Sequence, residues 1–100
     1  MVRKEKETTT HLVFENNHLL KALLGEYDQN LKHIEKALSV SIHVRGTSIS
    51  IHGQEEHAHL ARRLLQELYF LLESDYPVYA REIDLALKML RNDDNARLKD

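Results

Sequence analysis

The sequence predicts an α+β domain: a three-stranded sheet covered by helices on one face, in the order strand, helix, helix, strand, strand, helix, with one further helix appended. Three observations carry that expectation. Residues 41–52, SIHVRGTSISIH, alternate apolar and polar side chains on both sides of a Gly-Thr pair, the pattern of a tight hairpin. Residues 54–72 place Ala58, Ala61, Leu64, Leu65, Leu68 and Leu72 on one wide helical stripe. Ahead of the hairpin, Gly25 separates two shorter segments of helical period, so two helices are expected there.

Taken in order, residues 1–10 mix charges with three threonines and show no period, which reads as a disordered, solvated tail. His11 to Glu15 favours a strand. Asn16 or Asn17 then caps the helix proposed by Leu19, Leu20, Leu23 and Leu24, and Gly25 stops it. Asp28 is placed to cap a second helix with Leu31, Ile34 and Leu38 on its apolar face, ending at Ser39. In the hairpin, Gly46-Thr47 suits a type II′ turn. If Arg45 faces Ser48, then Val44 faces Ile49 and Ile42 faces Ile51, which gathers all four branched side chains on one face. Ser41, His43, Arg45, Ser48, Ser50 and His52 take the other. Gly53 closes the strand, the long helix follows, and Ser74 to Pro77 breaks it. Ile83, Ala86, Leu87 and Leu90 mark a last helix ending near Arg91, and residues 92–100 read as a polar linker. The ordered domain is thus expected over residues 11–91.

One hundred residues support one domain with a modest core, since a chain of this size buries roughly 60% of its unfolded surface. Fourteen basic and sixteen acidic residues give a formal charge of −2, so no overall cationic field draws in a polyphosphate and any nucleic-acid contact must be local. The chain has no cysteine, which removes disulfides and thiolate chemistry and suits a reducing compartment. It also lacks the run of about 20 apolar residues that a membrane span needs, and its start lacks a signal-peptide core, so a cytoplasmic protein without membrane contact is expected.

The element order, a glycine-led loop between the first two helices, and Ile51-His52-Gly53 at the passage into the long helix resemble a KH domain, β-α-α-β-β-α, here with an additional C-terminal helix. A narrower resemblance lies in NLKHIEKALSVSIHVRGTSISIHGQEEHAHLARRLLQELYFLLE followed by EIDLALKML. Val40-x-Ile42-x-x-Arg45-Gly46, Ile51-x-Gly53 and Asp84-x-Ala86-Leu87 stand in the order and spacing found in the N-terminal domain of PhoH-like P-loop ATPases. The resemblance covers Phe14 to Arg91. It implies an RNA-linked protein that assembles into rings, with a C-terminal ATPase domain of the same protein holding ATP and magnesium. This chain holds no cofactor of its own: with three glycines and no G-x-x-x-x-G-K-[ST], nothing in it cradles a triphosphate.

A working KH loop, G-x-x-G, brings backbone close to about four nucleotides. Here the corresponding residues are Gly25-Glu26-Tyr27-Asp28, with two carboxylates where a phosphate would approach. The loop is expected to serve as a structural turn that no longer clamps RNA. Tyr27 stacking on a base is the functional alternative. Other candidate contacts for single-stranded RNA are Gly25, Lys32, and the patch of His43, Arg45 and His52 on the open hairpin face, whose bland reading is a solvated sheet surface. Arg62 and Arg63 read as a solvated helix flank. His52, His57 and His59 do not form H-E-x-x-H, and His57 and His59 point apart on a helix, so no metal and no catalytic residue is assigned. Phe70 and Leu71 on the long helix, and Leu85 and Met89 on the last, lie off the main stripes. They read as packing between those helices or as an interface, to the ATPase domain or within a homo-oligomer. A protein-interaction or oligomerisation module with a degenerate KH fold and no affinity for nucleic acid is the alternative reading of the whole.

Overall fold

The computed structural model describes residues 6–99, with side chains described as far as Asn92. Its elements are β1 (Glu7–Val13), α1 (Asn17–Leu24), α2 (Gln29–Leu38), β2 (Ser41–Arg45), β3 (Ser48–Gln54), α3 (Glu55–Glu73) and α4 (Ala80–Lys99), with a single turn, Glu26–Asp28, between α1 and α2. The strands form one antiparallel sheet in the order β1-β3-β2. The predicted hairpin register is the observed one: Arg45 faces Ser48, Val44 faces Ile49 and Ile42 faces Ile51. Of the two turn residues, Gly46 alone takes a positive φ, 62°, a backbone region that costs an L side chain about 1–2 kcal/mol.

Alternation then decides the layers. Ile42, Ile49 and Ile51 point to the helices and are buried together with Leu12, Leu23, Ile34, Leu38, Leu64, Leu65, Leu68 and Ile83 in one core. Helix α3 lies across β1 and β3, α1 packs on α3 and α2, and α4 covers α2 and α3. The predicted stripe of α3 is the one that is buried, except that Leu72 is only partly so. Asn16 caps α1 by accepting from the Leu19 N–H at 3.1 Å. At the start of α4, Glu82 reaches back to accept from the Tyr79 N–H at 2.8 Å, half of a capping box that the break at Ser74 to Pro77 makes room for.

Three expectations are corrected. The solvated tail was placed over residues 1–10, but residues 7–10 are strand: Thr8, Thr9 and Thr10 pair with Gly53, His52 and Ile51. Three β-branched residues in succession favour that conformation; threonine, polar and apolar at once, shows no alternation by which to see it. Residues 1–5 of the expected tail lie outside the described residues. The linker expected over residues 92–100 is helical as far as Lys99, because NDDNARLK holds neither proline nor glycine to stop a helix already running; residue 100 lies outside the described residues. Asp28 does not cap α2, as the loop geometry explains below.

Candidate nucleic-acid interface

Helix α1 ends when the chain reaches Gly25, whose N–H donates to the Lys21 carbonyl at 3.0 Å. Gly25 sits at φ 81°, ψ 171°, a region essentially reserved for glycine. A Cβ there would also lie 2.9 Å from Cγ and Nδ2 of Asn30. Both facts make this glycine necessary to the turn itself, whatever binds beside it. The chain then swings through two successive left-handed residues that are not glycine, Tyr27 (φ 54°, ψ 32°) and Asp28 (φ 59°, ψ 26°).

That backbone explains the missing cap. An N-cap residue normally sits in the β region, from which its side chain reaches the N–H groups of the first turn. Asp28, held left-handed, makes no such bond. Its carboxylate and that of Glu26 are exposed, and Tyr27, with 89% of its surface open, stands between them. What holds the turn is Asn30. The residue is 97% buried and its side-chain amide donates to the Leu23 carbonyl at 3.2 Å and to the Val78 carbonyl at 3.0 Å, tying the end of α1 to the connector between α3 and α4.

Beside the loop lies an open groove of about 720 Å³, walled by Lys21, Gly25, Asp28, Asn30, Pro77 and Tyr79 among others. Lys21 is the cation of its lining, against the carboxylates of Glu26 and Asp28. A phosphate entering here meets more negative than positive charge. A stacking surface for an uncharged ring is present nonetheless, in Tyr27 on the loop and Tyr79 on the groove wall, both exposed.

His43, Arg45 and His52 are exposed and belong to the sheet face turned away from the helices. Their neighbours on β1 share that face. His52 Nδ1 meets Thr9 Oγ1 at 2.8 Å, His52 Nε2 lies 3.4 Å from Glu7 Oε1, and His11 Nδ1 meets Ser50 Oγ at 3.1 Å. The fold therefore separates the candidate RNA residues: Gly25, Tyr27 and Lys32 lie in the helical layer, and His43, Arg45 and His52 on the far side of the sheet. Among the candidate interface residues, Phe70, Leu85 and Met89 are exposed, whereas Leu71 is partly buried against the core. Arg62 and Arg63 are half-buried rather than fully solvated, and Arg63 is engaged in an interaction of its own. His57 is also half-buried, with Nδ1 enclosed and without a hydrogen-bond partner. Among the described residues no three His, Asp or Glu side chains are grouped as a metal would need.

Asn30 and His11 went unselected by sequence reasoning. Asn30 had left a signal, since it stands four residues before Ile34 and eight before Leu38, a polar side chain on an apolar stripe. His11 had none, because which strands flank β3 is not written locally.

A β1-α1-α2-β2-β3-α3 order with the sheet order β1-β3-β2 is that of a KH domain, and solved structures agree. The first type I KH domain of human vigilin superposes with a TM-score of 0.62 at 14% identity, over 74% of this chain and 84% of that one. A protein of unknown function from Aeropyrum pernix does so with a TM-score of 0.62 at 15% identity, over 95% of this chain and 54% of that one. No family model matches the chain. Sequence relatives are nevertheless consistent: it is 33% identical over 72 residues to a PhoH-like protein of Mycobacterium leprae and 32% identical over 91 residues to a PhoH-like protein of Bacillus subtilis. The alignments cover 72% and 86% of this chain, and the chain spans 21% and 28% of those relatives' lengths. The chain is a KH-like domain of the kind associated with PhoH-like proteins. Among the described residues no helix is long and apolar enough to cross a membrane.

Proposed function

We propose that this chain is a non-catalytic accessory domain of a PhoH-like, ATP-hydrolysing protein of the cytoplasm, and that it assists RNA engagement or assembly of the ATPase. ATP and magnesium belong to a domain outside this chain. The observation that carries the RNA half is Tyr27: an aromatic ring open to solvent, on the loop where KH domains meet nucleic acid, beside a groove walled by a second exposed tyrosine. Base stacking is sequence-tolerant and worth about 1–3 kcal/mol per base, and it remains available where phosphate clamping is not. The expected binding is weak, at low salt, and to single strands.

The carboxylates of Glu26 and Asp28 favour the second reading, a protein-interaction module with a degenerate KH fold that does not bind nucleic acid. Titrating a short single-stranded RNA into the isotopically labelled chain separates the two. The first reading expects amide shifts over residues 25–34, abolished by Tyr27→Ala, with His43, Arg45 and His52 unmoved on the opposite side of the sheet. No shifts at low salt would leave the second reading standing.

A further inference from the structure

Helix α4 runs parallel to α2. Asn30 Nδ2 donates to the Val78 carbonyl at 3.0 Å, His33 Nε2 donates to Asp84 Oδ1 at 2.8 Å, and Ala37 lines a groove together with Leu87, Lys88 and Arg91. The partners' numbers rise together, so the seam between the two helices begins beside the loop that carries Tyr27 and ends at Arg91. Along α2 it is about 15 Å long, at a rise of 1.5 Å per residue. The groove of Tyr79 opens at its head, and the second groove, of about 570 Å³, at its foot.

Cations flank this seam. On α2, Lys32 and Lys36 stand one turn apart beside His33, away from the buried stripe of Ile34 and Leu38. On α4, Arg81, Lys88 and Arg91 share the flank of Asp84. All five cations are exposed, and among the described residues none of them has an ion pair. The carboxylates of the two helices, as far as Asn92, are occupied elsewhere. Glu35 accepts from the Ile42 N–H at 2.7 Å, Glu82 from the Tyr79 N–H at 2.8 Å, and Asp84 from His33. A chain of formal charge −2 thus carries one row of unpaired positive charge, and such a row attracts a polyanion locally.

We propose that the α2–α4 seam is the phosphate track of a single-stranded RNA whose bases stack at Tyr27 and Tyr79. Its phosphates run down the seam and meet Lys32 and Lys36 on one wall, and Arg81, Lys88 and Arg91 on the other. This rests on the RNA reading above and supplies what the acidic loop lacks, since phosphate contacts provide much of the affinity for a nucleic acid. The strand must be single, because the tyrosines at the head of the seam stack only on unpaired bases. An acidic protein segment would match the cations but leave both rings unused. The cations on α4 belong to the helix appended to the KH-like order, so the track lies outside the G-x-x-G position.

Fluorescence anisotropy with a short labelled single-stranded RNA, repeated over a series of salt concentrations, reads the track directly. Each phosphate neutralised on a single strand contributes about −0.7 to the slope of log affinity against log salt. Lys88→Gln with Arg91→Gln should therefore flatten the slope by about 1.4 and raise Kd roughly tenfold at low salt. Lys32→Gln with Lys36→Gln tests the other wall in the same way, should the first pair disturb the fold by circular dichroism. Lys6→Gln removes an exposed cation ahead of β1 and should change neither quantity. Tyr27→Ala should weaken binding with the slope intact. RNA that binds both double variants with an unchanged slope overturns the track and leaves stacking at Tyr27 standing, whereas a parent chain that binds no RNA at low salt removes the RNA reading and the track together. Polyglutamate that competes as well as RNA of equal charge would overturn RNA as the occupant in favour of an acidic protein.

Discussion

Two turns of this molecule begin with a glycine at positive φ, and they are held in opposite ways. In Gly46-Thr47 the turn is self-sufficient: glycine takes the one position that demands a left-handed backbone, nothing lies within 4 Å of where its Cβ would be, and the flanking strands pair in register on their own account. In Gly25–Asp28 the glycine is followed by two left-handed residues with side chains, and the turn survives because buried Asn30 holds it from below. The first conformation is written in the turn. The second is imposed on it, at a backbone cost of order 1–2 kcal/mol for a left-handed residue other than glycine.

That contrast can be broken by substitution, most forcefully at its support. Asn30→Ala removes two hydrogen bonds and strands two carbonyls in a buried site, so a loss of about 2–4 kcal/mol is expected, read as a fall in Tm. Gly25→Ala comes next. A Gly-only backbone region and a 2.9 Å approach to Asn30 combine to an expected loss of about 2–3 kcal/mol. In the Asn30→Ala background the same change should cost less, since the side chain it strikes is gone; a double-mutant cycle by denaturant unfolding measures the difference. Gly46→Ala meets strain alone and should cost only about 1 kcal/mol. Equal losses at Gly25 and Gly46 would mean that the two turns are not held differently.

The smallest effect has the opposite sign. Asp28→Gly relieves one left-handed side chain and gives up no cap bond, because Asp28 makes none; it should stabilise by about 0.5–1 kcal/mol, or roughly 4 °C in Tm. It also restores the second glycine of G-x-x-G and deletes a negative charge beside the groove. Single-stranded RNA should therefore bind the variant more tightly than the parent chain, in the titration described above.

Much of this was legible in residues 41–72. A period of two around Gly46 gave the hairpin its register, and a helical stripe of Ala and Leu gave α3 its buried face, since each pattern describes one element against one core. The candidate site was less legible. Asp28 looked like a cap from its position alone, but capping depends on backbone dihedrals that Gly25 and Asn30 set from outside the motif. Tyr27 was selected, and the structure leaves it open to solvent. Gly25 was also selected, and its contact with Asn30 gives it a structural reason. His43, Arg45 and His52 were read as further candidate contacts for single-stranded RNA, but nothing in their local pattern says on which side of the sheet the loop lies.

By itself the sequence determined the succession of helices and strands, the pairing within the hairpin and the buried side of each helix, because these follow from side-chain spacing along a single stretch of chain. Tertiary structure alone decided that Thr8 to Thr10 complete the sheet, that Asn30 steadies a strained acidic turn, that the candidate RNA residues face opposite ways, and that α4 lies alongside α2. Each of those depends on which distant segments come to lie side by side, and chain closure over dozens of residues is governed by the packing of the whole core rather than by any local period.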